Sequence, residues 1–373
     1  MTNSLPVDPS PPPRVEEEQI ELLERLCNAC AVSGNEDAVR NIVLEQVRPC
    51  SDQVTIDALG NVLAIRQGQG ESRLRVMLAA HMDEVGFMLI SDEKEGIYRF
   101  DTVGGIDAQK LAGKPVFVGG ECLPGVIGAK PVHLTTAEER QTPISLDMLR
   151  IDVGPENGKK IKAGDWATFA TKFSLLGPSI RAKALDDRFG VATLIELVKN
   201  APPNIDLLAA FTVQEEVGLR GARVAAYALD PHLAFVLDCT PANDLPSWDA
   251  SNHYEDSADP PDNTRYNTRL GYGPAIYVAD RATLSDPRLI RHLVETAEAA
   301  DIPYQFRQPG MGGTDAGAIH KQRAGIPSVS ISVPGRYLHT AAAISRLDDW
   351  KNSLALIHRA LATLPENILS AER

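Results

Sequence analysis

Apolar residues recur at helical spacing from Glu17 to Cys30, at Ile20, Leu22, Leu23 and Leu26, and predict an amphipathic helix. Ser33-Gly34-Asn35 stops that helix and opens another, which carries Val39, Ile42, Val43 and Val47. Arg75-Val76-Met77-Leu78-Ala79-Ala80 then reads as a buried strand with His81 at its carboxyl end. From about residue 86 to 175 the apolar runs are short, and glycines break them: Gly104-Gly105, Gly119-Gly120, Gly125, Gly128, Gly154, Gly164. No long helical period is present there, so this block predicts a small all-β unit. Helix–strand alternation resumes with a helix at 185–198, strands at 207–213 and 233–237, a helix at 287–300, a strand at 328–333 and a last helix at 347–364. Such alternation implies an α/β layer fold with a mostly parallel sheet.

The pattern divides the chain. Residues 1–16 are polar and proline-rich and read as a flexible tail without a core of its own. Residues 17–85 and 175–373 form the α/β domain, and 86–174 is a β-rich insert. The polar segment from Pro246 to Arg269, with Asp249, Glu255, Asp256 and the adjacent Pro260 and Pro261, is long for a loop and reads as disordered.

Composition narrows the function classes. The net charge of −13, with no Lys/Arg-rich stretch to offset it, argues against nucleic-acid binding. Five scattered cysteines fit a reducing compartment better than a disulfide framework. Cys27-x-x-Cys30 has metal or redox spacing, but it has no second pair and sits in a helical pattern, which favours a structural role. There is no basic start followed by an apolar run, and no apolar stretch near 18 residues, so a cytoplasmic protein without a membrane span is expected.

The chemistry gathers at strand ends. His81 and Asp83 follow the first strand, Asp186-Asp187 lead a helix, Glu215-Glu216 and Asp238 end strands, and His339 follows the strand at 328–333. In open α/β sheets ligands bind beyond the carboxyl ends of the strands, so these segments can converge on one crevice. Two histidines with several carboxylates suit a divalent metal of the zinc, cobalt or manganese type. The carboxylates are too many for one tetrahedral zinc, whereas two ions sharing a bridging carboxylate would use them all. Each residue alone has a plainer reading: Asp186-Asp187 as a dipole-favoured helix start, Glu215-Glu216 as a solvated strand end. The inference rests on the joint pattern. His133, His232, His253, His292, His320 and His358 lack such company and read as structural or exposed.

Five ordered segments carry a resemblance: His81-Met82-Asp83-Glu84-Val85-Gly86, Leu185-Asp186-Asp187-Arg188, Glu215-Glu216-Val217-Gly218, Gly312-Gly313-Thr314-Asp315-Ala316 and Tyr337-Leu338-His339-Thr340. Together they resemble the tetrahedral aminopeptidases, the dinuclear metallopeptidase family forty-two, over nearly the whole chain after the tail. The resemblance implies a three-layer catalytic domain, and a dimerisation role for the β-rich insert. It implies one ion on His81, Asp186 and Asp238, and a second on Asp186, Glu216 and His339. Glu215 becomes the general base, then acid, and Asp83 orients His81. The peptide between Asp186 and Asp187 is expected to be cis. Six dimers would close into a dodecamer that admits short peptides. Ser33-Gly34-Asn35-Glu36 fits the family, whereas Cys27-Asn28-Ala29-Cys30 and the long 246–269 segment depart from it. A glycoside hydrolase using Glu215 with another carboxylate is a competing reading. Aromatic content of only 5% and two unexplained histidines weigh against it. A non-catalytic scaffold would have no use for the intact ligand set.

Overall fold

The computed structural model describes residues 11–70, 73–242, 244–245, 268–307 and 312–373. Its strands are β1 (Gln53–Ile56), β2 (Val62–Arg66), β3 (Leu74–His81), β4 (Gly86–Asp92), β5 (Ile97–Val103), β6 (Pro115–Val118), β7 (Leu123–Ala129), β8 (Leu149–Asp152), β9 (Trp166–Phe169), β10 (Ser174–Leu176), β11 (Ser179–Ala182), β12 (Ile205–Thr212), β13 (Leu233–Pro241), β14 (Ala275–Tyr277), β15 (Gln305–Arg307), β16 (Ser328–Arg336) and β17 (Ala343–Arg346). Its helices are α1 (Glu17–Asn28), α2 (Asp37–Val47), α3 (Ala137–Gln141), α4 (Gly154–Gly158), α5 (Leu185–Lys199), α6 (Arg220–Leu229), α7 (Pro287–Ala299), α8 (Ala316–Ile319) and α9 (Leu347–Ala362). The polar 246–269 segment lies outside the described residues apart from its last two, as does His253.

The central strands are apolar on both faces because both faces are covered. Along β3, Val76, Leu78 and Ala80 join one core with α1, α2, α5, α7 and α9, while Met77 and Ala79 join a second core with α6 and α8. The same alternation splits β12 and β13, so a sheet lies between two helical layers. The larger core centres on Trp350, which is fully buried and donates its Nε1–H to Thr193 Oγ1 at 2.9 Å.

The sheet has eleven strands in the order β1-β2-β12-β3-β13-β16-β17-β11-β10, with β14 beside β16 and β15 beside β14. It is mixed, and the expectation of a mostly parallel sheet holds only at its centre. β12, β3, β13 and β16 pair in parallel, as do β14 and β15, while β1, β2, β17, β11 and β10 add antiparallel edges. The centre is parallel because helical crossovers join its strands. The edges are hairpins, such as β10–β11, and hairpins can only be antiparallel.

Strands β4, β5, β8, β7, β6 and β9 close into a barrel. Phe87 packs edge-on against Phe100 and Phe169, at 5.3 and 5.2 Å between ring centres, and fills its interior. The tail is less free than its composition suggests, since Val15 is buried in the larger core. A single valine after a proline run gives no periodicity to read. Helix α6 also went unread; it is short and packs through the small side chains Ala222, Ala225 and Ala226.

A buried ionic knot joins the barrel to the layered part. Glu84 is paired with Lys183, each side chain at most 3% exposed. Glu84 also accepts from Thr168 Oγ1 of β9 at 3.0 Å and from the main-chain N–H of Ala31 at 2.9 Å. Lys183 donates to Ala29 O at 2.8 Å. Breaking this pair strips a buried carboxylate of its nearer cation and leaves only Arg188, 3.6 Å away. Lys183→Met is expected to cost about 3–5 kcal/mol in denaturant unfolding, and adding Glu84→Gln should recover part of it. A Lys183→Met protein as stable as the parent would show that the knot contributes nothing.

Candidate metal centre

The residues singled out by sequence come together at the carboxyl ends of the central strands. His81 is the last residue of β3, Glu215 and Glu216 follow the end of β12, Asp238 lies in β13, and His339 follows β16. Asp186 and Asp187 open α5, and the peptide between them is cis. Gly190 makes room for this start. Its N–H donates to Asp187 Oδ1 at 2.9 Å, and a Cβ there would sit 2.2 Å from Asp187 Oδ2. Gln214 and His339 hold left-handed backbone, with φ of 56° and 57°, and this turns their segments inward.

The distances have a pattern. His81 Nε2 lies 3.2 Å from Asp186 Oδ1 and 3.8 Å from Asp238 Oδ1. His339 Nε2 lies 3.4 Å from the other oxygen of Asp186, Oδ2, and 3.3 Å from Glu216 Oε1. Asp186 Oδ1 is nevertheless buried without a hydrogen bond of acceptable geometry, as is Asp187 Oδ2. The donors converge on shared points rather than bonding squarely to one another.

Each histidine is held from behind. His81 Nδ1 faces the main-chain oxygen of Asp83 at 3.2 Å and its carboxylate at 3.5 Å. His339 Nδ1 faces Gly105 O, from the loop after β5 of the barrel, at 3.0 Å. Those contacts place a proton on Nδ1 and leave Nε2 for the centre. Gly104, at φ 85°, brings that loop past the site, where a Cβ would lie 2.8 Å from Val85 and 3.4 Å from Glu216 Cβ. Asp83 is fully buried. It accepts from Ser33 Oγ at 2.6 Å and from the main-chain N–H groups of Glu215 and Glu216 at 3.0 and 3.1 Å. One carboxylate thus ties the histidine strand to the glutamate doublet.

The electrostatics are those of a crowd of acids. Asp83, Asp186, Asp187, Glu215, Glu216, Asp238 and Asp315 surround only two imidazoles. Burial pushes the Glu215 carboxyl well above its usual range despite His81, and Asp238, Glu216 and Asp315 push it further. Burial likewise lifts Asp238 to about 7 and Asp187 well above the usual range. For Asp186 burial works the same way, but bonding to His339 and His81 outweighs it and holds the carboxyl low. Burial opposes charge on His339, yet Asp186 and Glu216 lift it to about 11; His81 is also held high, against burial, by Asp186, Asp238 and Asp83. Positive charge would relieve this crowding.

Among the described residues, three groupings bring ligand atoms within 4.8 Å: His81 with Asp187 and Asp238, His81 with Asp186 and Glu216, and Asp186 with Asp187 and Cys239. The sequence pattern put Asp187 in the same crevice as Asp186 without giving it a ligand role, and it did not bring Cys239 there. It also took Ser33 for a helix stop, and it knew Asp315 only as part of the Gly312–Ala316 motif; Asp315 is buried and accepts from Thr212 Oγ1 at 2.5 Å. Among the other histidines, His292 and His358 are buried structural residues, and His133 and His232 are exposed. Cys27 is buried in α1, as its spacing in the helix suggests.

Comparison with known proteins agrees over nearly the whole chain. The profile of the M42 glutamyl aminopeptidase family matches residues 60–356. A putative aminopeptidase of Acetivibrio thermocellus is 34% identical over 351 residues, covering 93% of this chain and 99% of the relative. The crystal structure of a TET aminopeptidase from Thaumarchaeota archaeon SCGC AB-539-E09 superposes with a TM-score of 0.86 at 33% identity, covering 95% of this chain and 99% of that one. The TET1 peptidase of Pyrococcus horikoshii, which can assemble into a tetrahedron or a large octahedral shell, superposes at 0.77 with 32% identity, covering 92% and 99%. The chain therefore belongs to the M42 glutamyl aminopeptidase family, metal-dependent peptidases that remove N-terminal residues.

Proposed function

We propose that this aminopeptidase works through two divalent ions, with Glu215 as its proton carrier. One observation carries the reading: Asp186 turns one carboxylate oxygen toward His81 and the other toward His339. That posture would let one carboxylate serve two cations at once. His81, Asp186 and Asp238 would hold one ion, and Asp186, Glu216 and His339 the other. The mixed nitrogen and oxygen donors fit zinc first, then cobalt or manganese.

Ions bound there supply an acidified water and a Lewis acid for the peptide carbonyl. Glu215 moves the protons. It stands outside both ligand sets, and its main-chain N–H is anchored on Asp83. Its carboxylate takes the proton of the attacking water and returns it to the leaving amine. Asp83 is a positioning residue that aims His81 and the doublet. The free amino terminus of the substrate docks at the same cluster, which makes the enzyme an exopeptidase.

The barrel and its flanks, residues 86–174, are read as the dimerisation unit, and the assembly as a dodecamer of six dimers acting on short peptides in the cytoplasm. The tetrahedral assembly of the Pyrococcus horikoshii relative supports that reading. Among the described residues, no helix is long and apolar enough to cross a membrane.

Amino-acid release from an unblocked short peptide and from its N-acetylated form tests the proposal. Release from the unblocked peptide alone is expected. Equal cleavage of both, or activity on polysaccharide instead, contradicts it. Metal uptake should also weaken as pH falls. The histidines are held protonated in the cation-free protein, so binding must displace their protons. Metal affinity that is flat with pH would contradict the assigned histidine ligands.

A further inference from the structure

Two cysteines far apart in sequence meet where the barrel joins the layered part. Cys30 follows α1, and Cys122 sits in the turn between β6 and β7. Their Sγ atoms are 2.9 Å apart and both residues are half-buried thiols. Cys122 is held at φ 49°, and its N–H donates to Gly119 O at 3.0 Å, so a fixed turn presents its sulfur. A disulfide holds its sulfurs about 2.0 Å apart, so this pair stands less than about 1 Å from bonding distance.

We propose that Cys30 and Cys122 are a redox-responsive pair that closes into a reversible disulfide and locks the barrel onto the catalytic domain. The oxidant is a small-molecule disulfide such as oxidised glutathione. One cysteine thiolate attacks it and expels a glutathione thiolate. The other attacks the protein sulfur of the mixed disulfide and expels the second glutathione. Two protein thiols lose two electrons and two protons, and one glutathione disulfide is reduced to two thiols.

The lock bears on the site through a short path. Next to Cys30, Ala31 donates to Glu84, and Ser33 donates to Asp83, the carboxylate that aims His81. The bond would close a long loop between two units that otherwise meet through polar contacts such as Thr168 to Glu84. Long closed loops restrict the unfolded chain most. Burial lifts the Cys30 thiol to about 12, which makes exchange slow at neutral pH and calls for incubation over hours.

The test treats the full-length protein with oxidised glutathione, traps free thiols and maps peptides without reduction. A Cys30–Cys122 linked peptide is expected, lost on reduction and absent from Cys122→Ser. The linked protein should unfold on heating at least about threefold more slowly than the reduced one, by near-ultraviolet circular dichroism. Persistently free thiols, or glutathione held singly on each cysteine, would overturn the pairing. A linked protein that unfolds as fast as the reduced one would overturn the lock. Neither readout depends on peptidase activity.

Discussion

Glu215→Gln is expected to keep its full metal content and lose about 10²–10⁴-fold in kcat, with little change in KM. Glutamine has the shape of the side chain it replaces and leaves the main-chain bond to Asp83 in place. What it cannot do is hold a proton between attack and departure. The stability of the variant should move the other way. Desolvation opposes charge on the half-buried Glu215, and Asp238, Glu216 and Asp315 oppose it further. A neutral glutamine escapes the cost of suppressing that charge, so the cation-free variant should melt at or above the parent. A site that gains stability as it loses rate is one whose charge serves chemistry. Full peptidase rate in Glu215→Gln would show that another group carries the proton.

Asp186→Ala is expected to abolish activity and to empty both metal positions, whereas Asp238→Ala should empty one. The contrast follows from position. Asp186 faces both histidines with separate oxygens, while Asp238 approaches only His81. Losing the shared ligand removes one donor from each ion at once. The same substitution should lower the pKa of His339 from about 11, since the bond to Asp186 is the largest influence raising it. Metal analysis by mass spectrometry and imidazole titration by NMR read these effects separately. If Asp186→Ala retained one tightly held ion per chain, Asp186 would not be the bridge.

Much of this centre was legible because a parallel sheet sends every strand end to one side. His81, Glu215, Glu216 and Asp238 could be placed together from strand pattern alone, and His339 by its position after the strand at 328–333. The support around them was not legible. Ser33, Gly105 and Asp315 act through hydrogen bonds that chain folding brings across; Ser33 and Asp315 stand in motifs visible in the sequence, but the partners they meet are not. Asp187 shows the limit most clearly. The doublet Asp186-Asp187 is plain in sequence, yet one carboxyl is held charged by two histidines and its neighbour is pushed toward neutrality by burial. Only the turn into α5 decides which is which.

The fold follows the same rule. Long apolar runs such as β3 were readable because both faces are covered, and α9 because its stripe is strong. The three-residue strands β14 and β15 are too short to read, and the ten-residue α6, which packs through alanines, was not singled out. The meeting of Cys30 with Cys122 depends on how the barrel sits against α1, which local pattern does not encode.

The most direct measurement is a metal titration of chelator-stripped protein. Bound zinc or cobalt per chain and amino-acid release from an unblocked peptide are followed together. The account predicts negligible rate without metal and full rate as the second ion per chain is bound, with both steps lost in Asp186→Ala. Full rate in the metal-free protein, or saturation of rate and binding at one ion per chain, would contradict it.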